Sequence, residues 1–320
     1  MNEAAAPDLT VIIATRNRAA MLERCLVSLA KQSVEPSRFE VIVATDGCEQ
    51  GSAAVAEAFA APFALRVLER EKAGHALTQN AALVHASGPR VLFLDDDVVA
   101  SSDLVAGHIE AHRADPRCVG VGALTQKPPP ARDWYARAHA RAWNAHYLEF
   151  EHREAHWTDC YGANLSAPLE QLREIGGVSP EVPTGKDLDL GFRLSQAGCT
   201  PRYVPRAHGT HDDGKRRRKM LEDAERQGRM HAVLSRRHPE REASLLAWGE
   251  RAGPRELDIR RRLLEMRFPP TPLALLGPLV PGESRELLWY SIVRRFAFWR
   301  GVRQELTPEE WDRVTRPPTT

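Results

Sequence analysis

The chain has 320 residues, enough to bury one large core or two modest ones. Its 44 basic and 43 acidic residues leave a formal net charge of +1, which gives no overall case for nucleic acid as a partner. Five scattered cysteines without a CxxC pair argue against a disulfide framework or a zinc ribbon and fit a reducing, cytoplasmic setting.

The first residues lack the basic start and apolar core of a signal peptide. Residues 10–14 (TVIIA) predict a strand and 19–31 a helix. Strand and helix then alternate. Residues 40–44 (EVIVA) precede an alanine-rich helix at 52–60, 65–68 precede a helix at 75–86, and 90–94 (RVLFL) form a fourth strand. Alternation at these lengths predicts a mostly parallel α/β sheet with helices on both faces, and continuous apolar runs suit strands buried on both sides. Beyond Asp97 the pattern loosens: helix at 102–114, strand at 118–124, a break at 128–130, then an aromatic- and histidine-rich helix at 134–157. A strand at 161–166, helices at 169–175 and 188–196, and a short strand from 203 follow. From residue 215 helices dominate, broken at 253–254 and through 269–281, and the longest apolar stretch, 268–280, is too short and proline-rich to cross a bilayer. The chain thus reads as an α/β domain at 1–214 and a C-terminal helical extension at 215–320.

In a parallel sheet, ligands bind beyond the carboxyl ends of the strands. Thr15-Arg16-Asn17 follows the first strand, Thr45-Asp46-Gly47 the second and Asp95-Asp96-Asp97 the fourth, so three polar clusters converge on one edge. Adjacent carboxylates repel, and a hard divalent cation relieves that repulsion. There is no GxGxxG after the first strand and no GxxxxGK[ST], so neither a dinucleotide fold nor a phosphate-cradling loop is indicated.

Together, VIIATRNR, VATDGC, EKAGHALTQNAAL, FLDDD and GKDLDLGFRLSQAG resemble the family 2 glycosyltransferases of the GT-A fold, over about residues 9–211. The resemblance implies a donor half at about 1–125, an acceptor half at about 126–214, a nucleotide-diphosphate sugar (a UDP-sugar) as donor and Mn2+ or Mg2+ as cofactor. It places Thr15, Arg16, Asp46, Lys72, Asn80, Asp95 and Asp96 around the donor. Asp97 and His211 would hold the metal, with His208 the rival of His211. Asp187 matches the general base, Asp189 being the alternative. Trp157, Gly162, Asn164 and Lys186 fall on the acceptor side, and no acceptor is identified. Two departures stand out: Gln79-Asn80 where the family often has Arg-Asn, and Lys186 where it has glutamate. Such a constellation implies metal-dependent transfer with inversion, a retaining transfer being its variant. A nucleotidyltransferase, or a catalytically inactive nucleotide-sugar-binding protein on the same fold, is the alternative.

Three aromatics, Trp143, Tyr147 and Trp157, are candidates for stacking on an acceptor or for core packing. His152 and His156 have ligand spacing but no third ligand, which reads as a solvated helix face. Residues 287–303 (LLWYSIVRRFAFWRGVR) mix aromatics with arginine on a helix, read first as domain packing and second as a peripheral contact with an anionic membrane.

Overall fold

A computed structural model describes residues 6–49, 51–127, 133–182, 185–211, 216–242, 246, 261–265, 268–277 and 282–315. The breaks expected at 128–130 and 253–254, and the expected boundary at 214/215, lie outside these residues. Contacts divide the chain into one unit of residues 1–127 and 143–213 and another of 128–142 and 214–320. The second unit thus takes a short segment from the middle of the chain as well as the C-terminal part.

The first unit is built on an eight-stranded sheet. Its strands are β1 (Leu9–Thr15), β2 (Phe39–Thr45), β3 (Ala64–Leu68), β4 (Arg90–Leu94), β5 (Val98–Ala100), β6 (Cys118–Gln126), β7 (Asn164–Pro168) and β8 (Thr200–His211). Their order is β3-β2-β1-β4-β7-β6-β8-β5. Parallel pairing joins β1 to β2 and β4, β2 to β3, and β6 to β8. Antiparallel pairing inserts β7 between β4 and β6 and lays β5 against the end of β8.

The burial of β1 explains why this strand is central. All seven of its residues are buried, and successive side chains leave by opposite faces. On one face Leu9, Val11 and Ile13 meet Leu22, Cys25, Leu26 and Leu29 of α1 (Ala19–Leu29) and Leu104, Val105 and Ile109 of α4 (Leu104–Ala114). On the other, Ile12 packs with α3 (His75–Val84), α6 (Leu169–Glu174) and α7 (Lys186–Gln196). The spacing of Leu22, Cys25, Leu26 and Leu29 is the i, i+3, i+4, i+7 stripe of a helix with one buried face. The short α2 (Ser52–Ala58) completes the covering.

Two expectations change, and one strand was not foreseen. The helix expected at 134–157 is α5 (Trp134–Leu148), followed by short 3-10 turns, so His152 and His156 share no helix face. The short strand expected at 203 is the twelve-residue β8. The three-residue β5 follows Asp97 at once; it carries too few residues for alternation to show in the sequence.

The second unit centres on α8 (Arg217–Arg237), α9 (Pro270–Leu275), α10 (Glu283–Glu305) and α11 (Pro308–Thr315). Gly228 of α8 lies against the backbone of Phe298 and Val302, and Gly301 of α10 against that of Glu225 and Arg229, so the two helices meet where neither has a side chain. The aromatics of 287–303 serve this packing: Tyr290, Phe296, Phe298 and Trp299 are buried, which removes them from any membrane contact. No helix among the described residues is long and apolar enough to cross a membrane.

Candidate active site

The parallel strands deliver their polar ends to one place. The Asp46 N–H donates to the Thr15 carbonyl at 3.0 Å, and the Thr15 hydroxyl donates to Asp96 Oδ2 at 2.6 Å. Asp46 Oδ1 accepts the N–H groups of Ala73 at 2.7 Å and Gly74 at 2.8 Å, which ties the β3–α3 loop over the end of β2. Burial works against the Asp46 charge, yet these two N–H groups and the neighbouring Arg16 hold its carboxyl below the usual range. Arg16 is exposed beside it. Gly47, at φ +65°, rests on Lys72, where any side chain would collide.

The three acids after β4 have different surroundings. Asp96 is 4 % exposed and tied to Thr15 and to the Arg18 guanidinium, 3.0 Å away. Loss of solvation pushes its pKa up to about 6, with Asp97 adding to the effect against the hydrogen bonds from Thr15 and Arg18. Asp96 is therefore committed to the strand ends, and it holds Thr15 with it. Asp97 meets Arg18 Nη1 at 2.8 Å and His211 Nε2 at 2.9 Å. One ligand atom from each of Asp95, Asp97 and His211 lies within 4.8 Å of the others. The short strand β5 brings these together: its Val98, next to Asp97, is paired with His211 on β8. His208, the rival histidine, is exposed and opposite Ala123. Arg18 closes the VIIATRNR motif, but the resemblance gave it no role.

A second cluster forms at the start of α7. The helix begins at Lys186, so Asp187 belongs to its first turn. Lys186 Nζ lies 2.9 Å from Asp187 Oδ1 and donates to Gln79 Oε1 at 3.3 Å. The two departures from the family pattern, Gln79 and Lys186, therefore touch each other. Desolvation raises the Asp187 pKa, but the Lys186 ammonium and the Gly162 N–H outweigh it and hold the carboxyl below its ordinary value. A Cβ on Gly162 would stand 2.5 Å from Asp187 Oδ1, so only glycine leaves room for this carboxylate. His75, which the sequence reading passed over, lies within electrostatic reach of Lys186, Asp95 and Asp187.

Residues 10–166 match the family model described as glycosyl transferase family 2. The chain belongs to this family. A pre-mycofactocin glycosyltransferase of Mycobacterium tuberculosis is 30% identical over 257 residues, covering 76% of this chain and 50% of that protein. A validoxylamine A glucosyltransferase of Streptomyces hygroscopicus subsp. limoneus is 26% identical over 220 residues, covering 60% and 49%. The chain thus spans about half the length of the curated relatives it matches. Among solved structures, the mannosyltransferase PcManGT from Pyrobaculum calidifontis, in complex with GDP-Man and Mn2+, aligns with a TM-score of 0.60 at 20% identity over 94% of this chain and 88% of that one. S. aureus TarS 1-349 in complex with UDP-GlcNAc aligns at 0.55 and 16% identity over 93% and 90%. These likenesses establish the GT-A fold.

Several residues that the family pattern put at the ligand are spent on the protein itself. The Asn80 amide donates to the Val178 carbonyl and its oxygen accepts the Val178 N–H, both at 2.8 Å, so it pins α3 to the loop after α6. Trp157 is 4 % exposed and packs edge-on against Phe192, which leaves no ring face for an acceptor. Trp143 donates its indole N–H to the Leu124 carbonyl, and Tyr147 is buried. Asp189, the alternative base, is buried and paired with Arg193 at 2.7 Å.

Asn164 is also buried, in a chain of side chains under the sheet. His112 Nε2 is 2.9 Å from Ser166 Oγ, Ser166 Oγ is 2.8 Å from His108 Nδ1, and His108 Nε2 is 2.9 Å from Asn164 Oδ1. The Asn164 amide donates to the Ala207 carbonyl at 2.9 Å. Because Asn164 Oδ1 only accepts, His108 donates from Nε2, its Nδ1 accepts the Ser166 hydroxyl, and Ser166 accepts from His112. Gly120 and Gly122 on β6 leave the space: a Cβ at either would strike Ser166, His108 or Asn164. Loss of solvation lowers His108 to about 4 and His112 to about 3.

Proposed function

We propose that the protein transfers a sugar from a nucleotide-diphosphate donor, a UDP-sugar, to an acceptor hydroxyl, with Asp187 as general base and a divalent cation at Asp95, Asp97 and His211. The observation that carries this reading is the meeting of those three ligand atoms beside Thr15, Arg16 and Asp46. The donor set fits the group: two carboxylates and an imidazole suit Mn2+ or Mg2+ that keeps its other positions for phosphate oxygens and water. When bound, such an ion stabilises charge that develops on the departing diphosphate.

The chain's own residues supply the rest. Asp46 Oδ2, opposite the oxygen that holds Ala73 and Gly74, is the acceptor for a base N–H, and Arg16 lies beside it for the nucleotide's negative charge. On the other side, Asp187 takes the acceptor's proton as its oxygen attacks the anomeric carbon. One carbon–oxygen bond forms, the bond to the diphosphate breaks, and the proton ends on the Asp187 carboxylate. Asp189 is held by Arg193, so α7 presents one reactive carboxylate, which supports a single inverting displacement. Lys186 keeps Asp187 ionised at neutral pH, and its ammonium also places positive charge opposite Gln79. All five cysteines are free, which supports a cytoplasmic setting.

The test is thermal stability of the whole chain with UDP- and GDP-sugars, with and without Mn2+. A ligand at a hundred times its dissociation constant stabilises the fold by about 2.7 kcal/mol. Stabilisation that needs both nucleotide and metal is expected, and EDTA should abolish it. The same shift with nucleoside triphosphates alone would favour nucleotidyl transfer.

A further inference from the structure

The near-zero net charge hides a division between the two units. Residues 128–142 and 214–320 carry 26 Lys and Arg against 16 Asp and Glu, a net of +10, whereas the remainder carries 18 against 27, a net of −9. The positive charge is densest in the sequence KRRRK at 215–219, where α8 begins.

Packing within the second unit shows what stands near that run. Leu221 and Ala224 of α8 pack with Tyr290, Val293 and Ala297 of α10, and Ala232 packs with Phe298, Trp299 and Val302. The helices therefore run parallel, and both start at the same end of the unit. At that end the surface is apolar as well as basic. Leu288 is 62% exposed and Ile292, one turn on, 37%. The Trp289 indole donates to the Leu273 carbonyl at 3.0 Å, which fixes α9 to the first half of α10. Leu275 and Leu276, at the end of α9, are 56% and 45% exposed. Among the described residues Arg216, Arg217 and Arg285 have no ion-pair partner, and the Arg218–Glu222 pair at 3.4 Å is open to solvent.

We propose that this end of the second unit docks on an anionic phospholipid bilayer, with Leu275, Leu276, Leu288 and Ile292 entering the interface and the basic start of α8 meeting the headgroups. Exposed leucines beside arginines that have no ion-pair partner among the described residues form the combination that an interfacial surface requires, apolar burial plus attraction to anionic lipid. A nucleic acid would use the arginines but has no use for four exposed aliphatic side chains. A second copy of the chain would set like charges against each other. Leu288 and Ile292 belong to the 287–303 segment that the sequence suggested, but its buried rings take no part, while Leu275, Leu276 and the start of α8 lie outside it; the proposal stands whether or not the chain transfers sugar.

Co-sedimentation of the full chain with vesicles tests it. Binding is expected to vesicles of phosphatidylglycerol and phosphatidylcholine at low salt, with little to phosphatidylcholine alone and release in molar salt. Leu288→Ser with Ile292→Ser should weaken binding about ten-fold without lowering the melting temperature, since both side chains are exposed. Arg216→Gln and Arg217→Gln should each weaken it about five-fold. Absence of binding to the anionic vesicles would overturn the proposal. So would serine variants that bind vesicles as the parent does, or single-stranded RNA that binds as tightly as vesicles and loses nothing in those variants.

Discussion

His211 Nε2 lies 2.9 Å from Asp97 Oδ1, although more than a hundred residues separate them. The contact exists because β5 follows Asp97 directly and pairs with the last residues of β8. Asp97→Asn should keep the shape and most of the stability while removing a metal-ligating charge. Calorimetric titration with a uridine diphosphate should then show at least ten-fold weaker binding in Mn2+ and little change in EDTA. Unchanged affinity in Mn2+ rules out Asp97 as a ligand.

Asp187→Asn separates chemistry from binding. Asparagine accepts a hydrogen bond from the acceptor but cannot take its proton, so transfer should fall roughly 10²–10⁴-fold. Donor affinity should stay near that of the parent. A variant that keeps most of its transfer rate would remove Asp187 from the base role.

Lys186→Met tests the ammonium beside that base. With the cation gone, the Asp187 pKa rises, because desolvation is then opposed only by the Gly162 N–H and the nearby His75. A base is active when deprotonated, so the acidic limb of the pH–rate profile should move to higher pH. A limb that stays in place means that Lys186 does not act on Asp187.

Gly162→Ala probes the same carboxylate from its other side. The added Cβ would stand 2.5 Å from Asp187 Oδ1, so the side chain must move. Transfer should drop at least ten-fold with donor binding retained. Equal activity in Gly162→Ala would show that the position of Asp187 is not critical.

The buried chain of His108 and His112 sets a pH dependence of stability. Their folded pKa values, about 4 and about 3, lie below the ordinary 6.5, so the unfolded chain takes up protons first as pH falls. Stability is thus full above pH 6.5 and is lost below it, by about 1.4 kcal/mol per pH unit for each imidazole until the folded value is reached. Denaturant unfolding at pH 7 and pH 5 should differ by about 4 kcal/mol, and His112→Gln should roughly halve that difference. A slope unaffected by this substitution would locate the pH sensitivity elsewhere.

The sequence by itself determined the first sheet strands and the helices between them, because burial on both faces demands continuous apolar runs such as TVIIA and RVLFL. It also put Thr15, Asp46 and the three acids on one edge, since chain order fixes which end of a parallel strand carries them. What it left open were distances across the chain. Whether His208 or His211 faces Asp97 depended on a β8 register that runs through an irregularity after Gly122, and no local pattern encodes that. Whether a polar residue faces ligand or protein was equally hidden: Asn80, Asn164 and Asp96 look like site residues in one dimension. Their hydrogen-bond partners, Val178, His108 and Arg18, are remote in sequence, and a buried polar group must take whichever partner the fold brings to it.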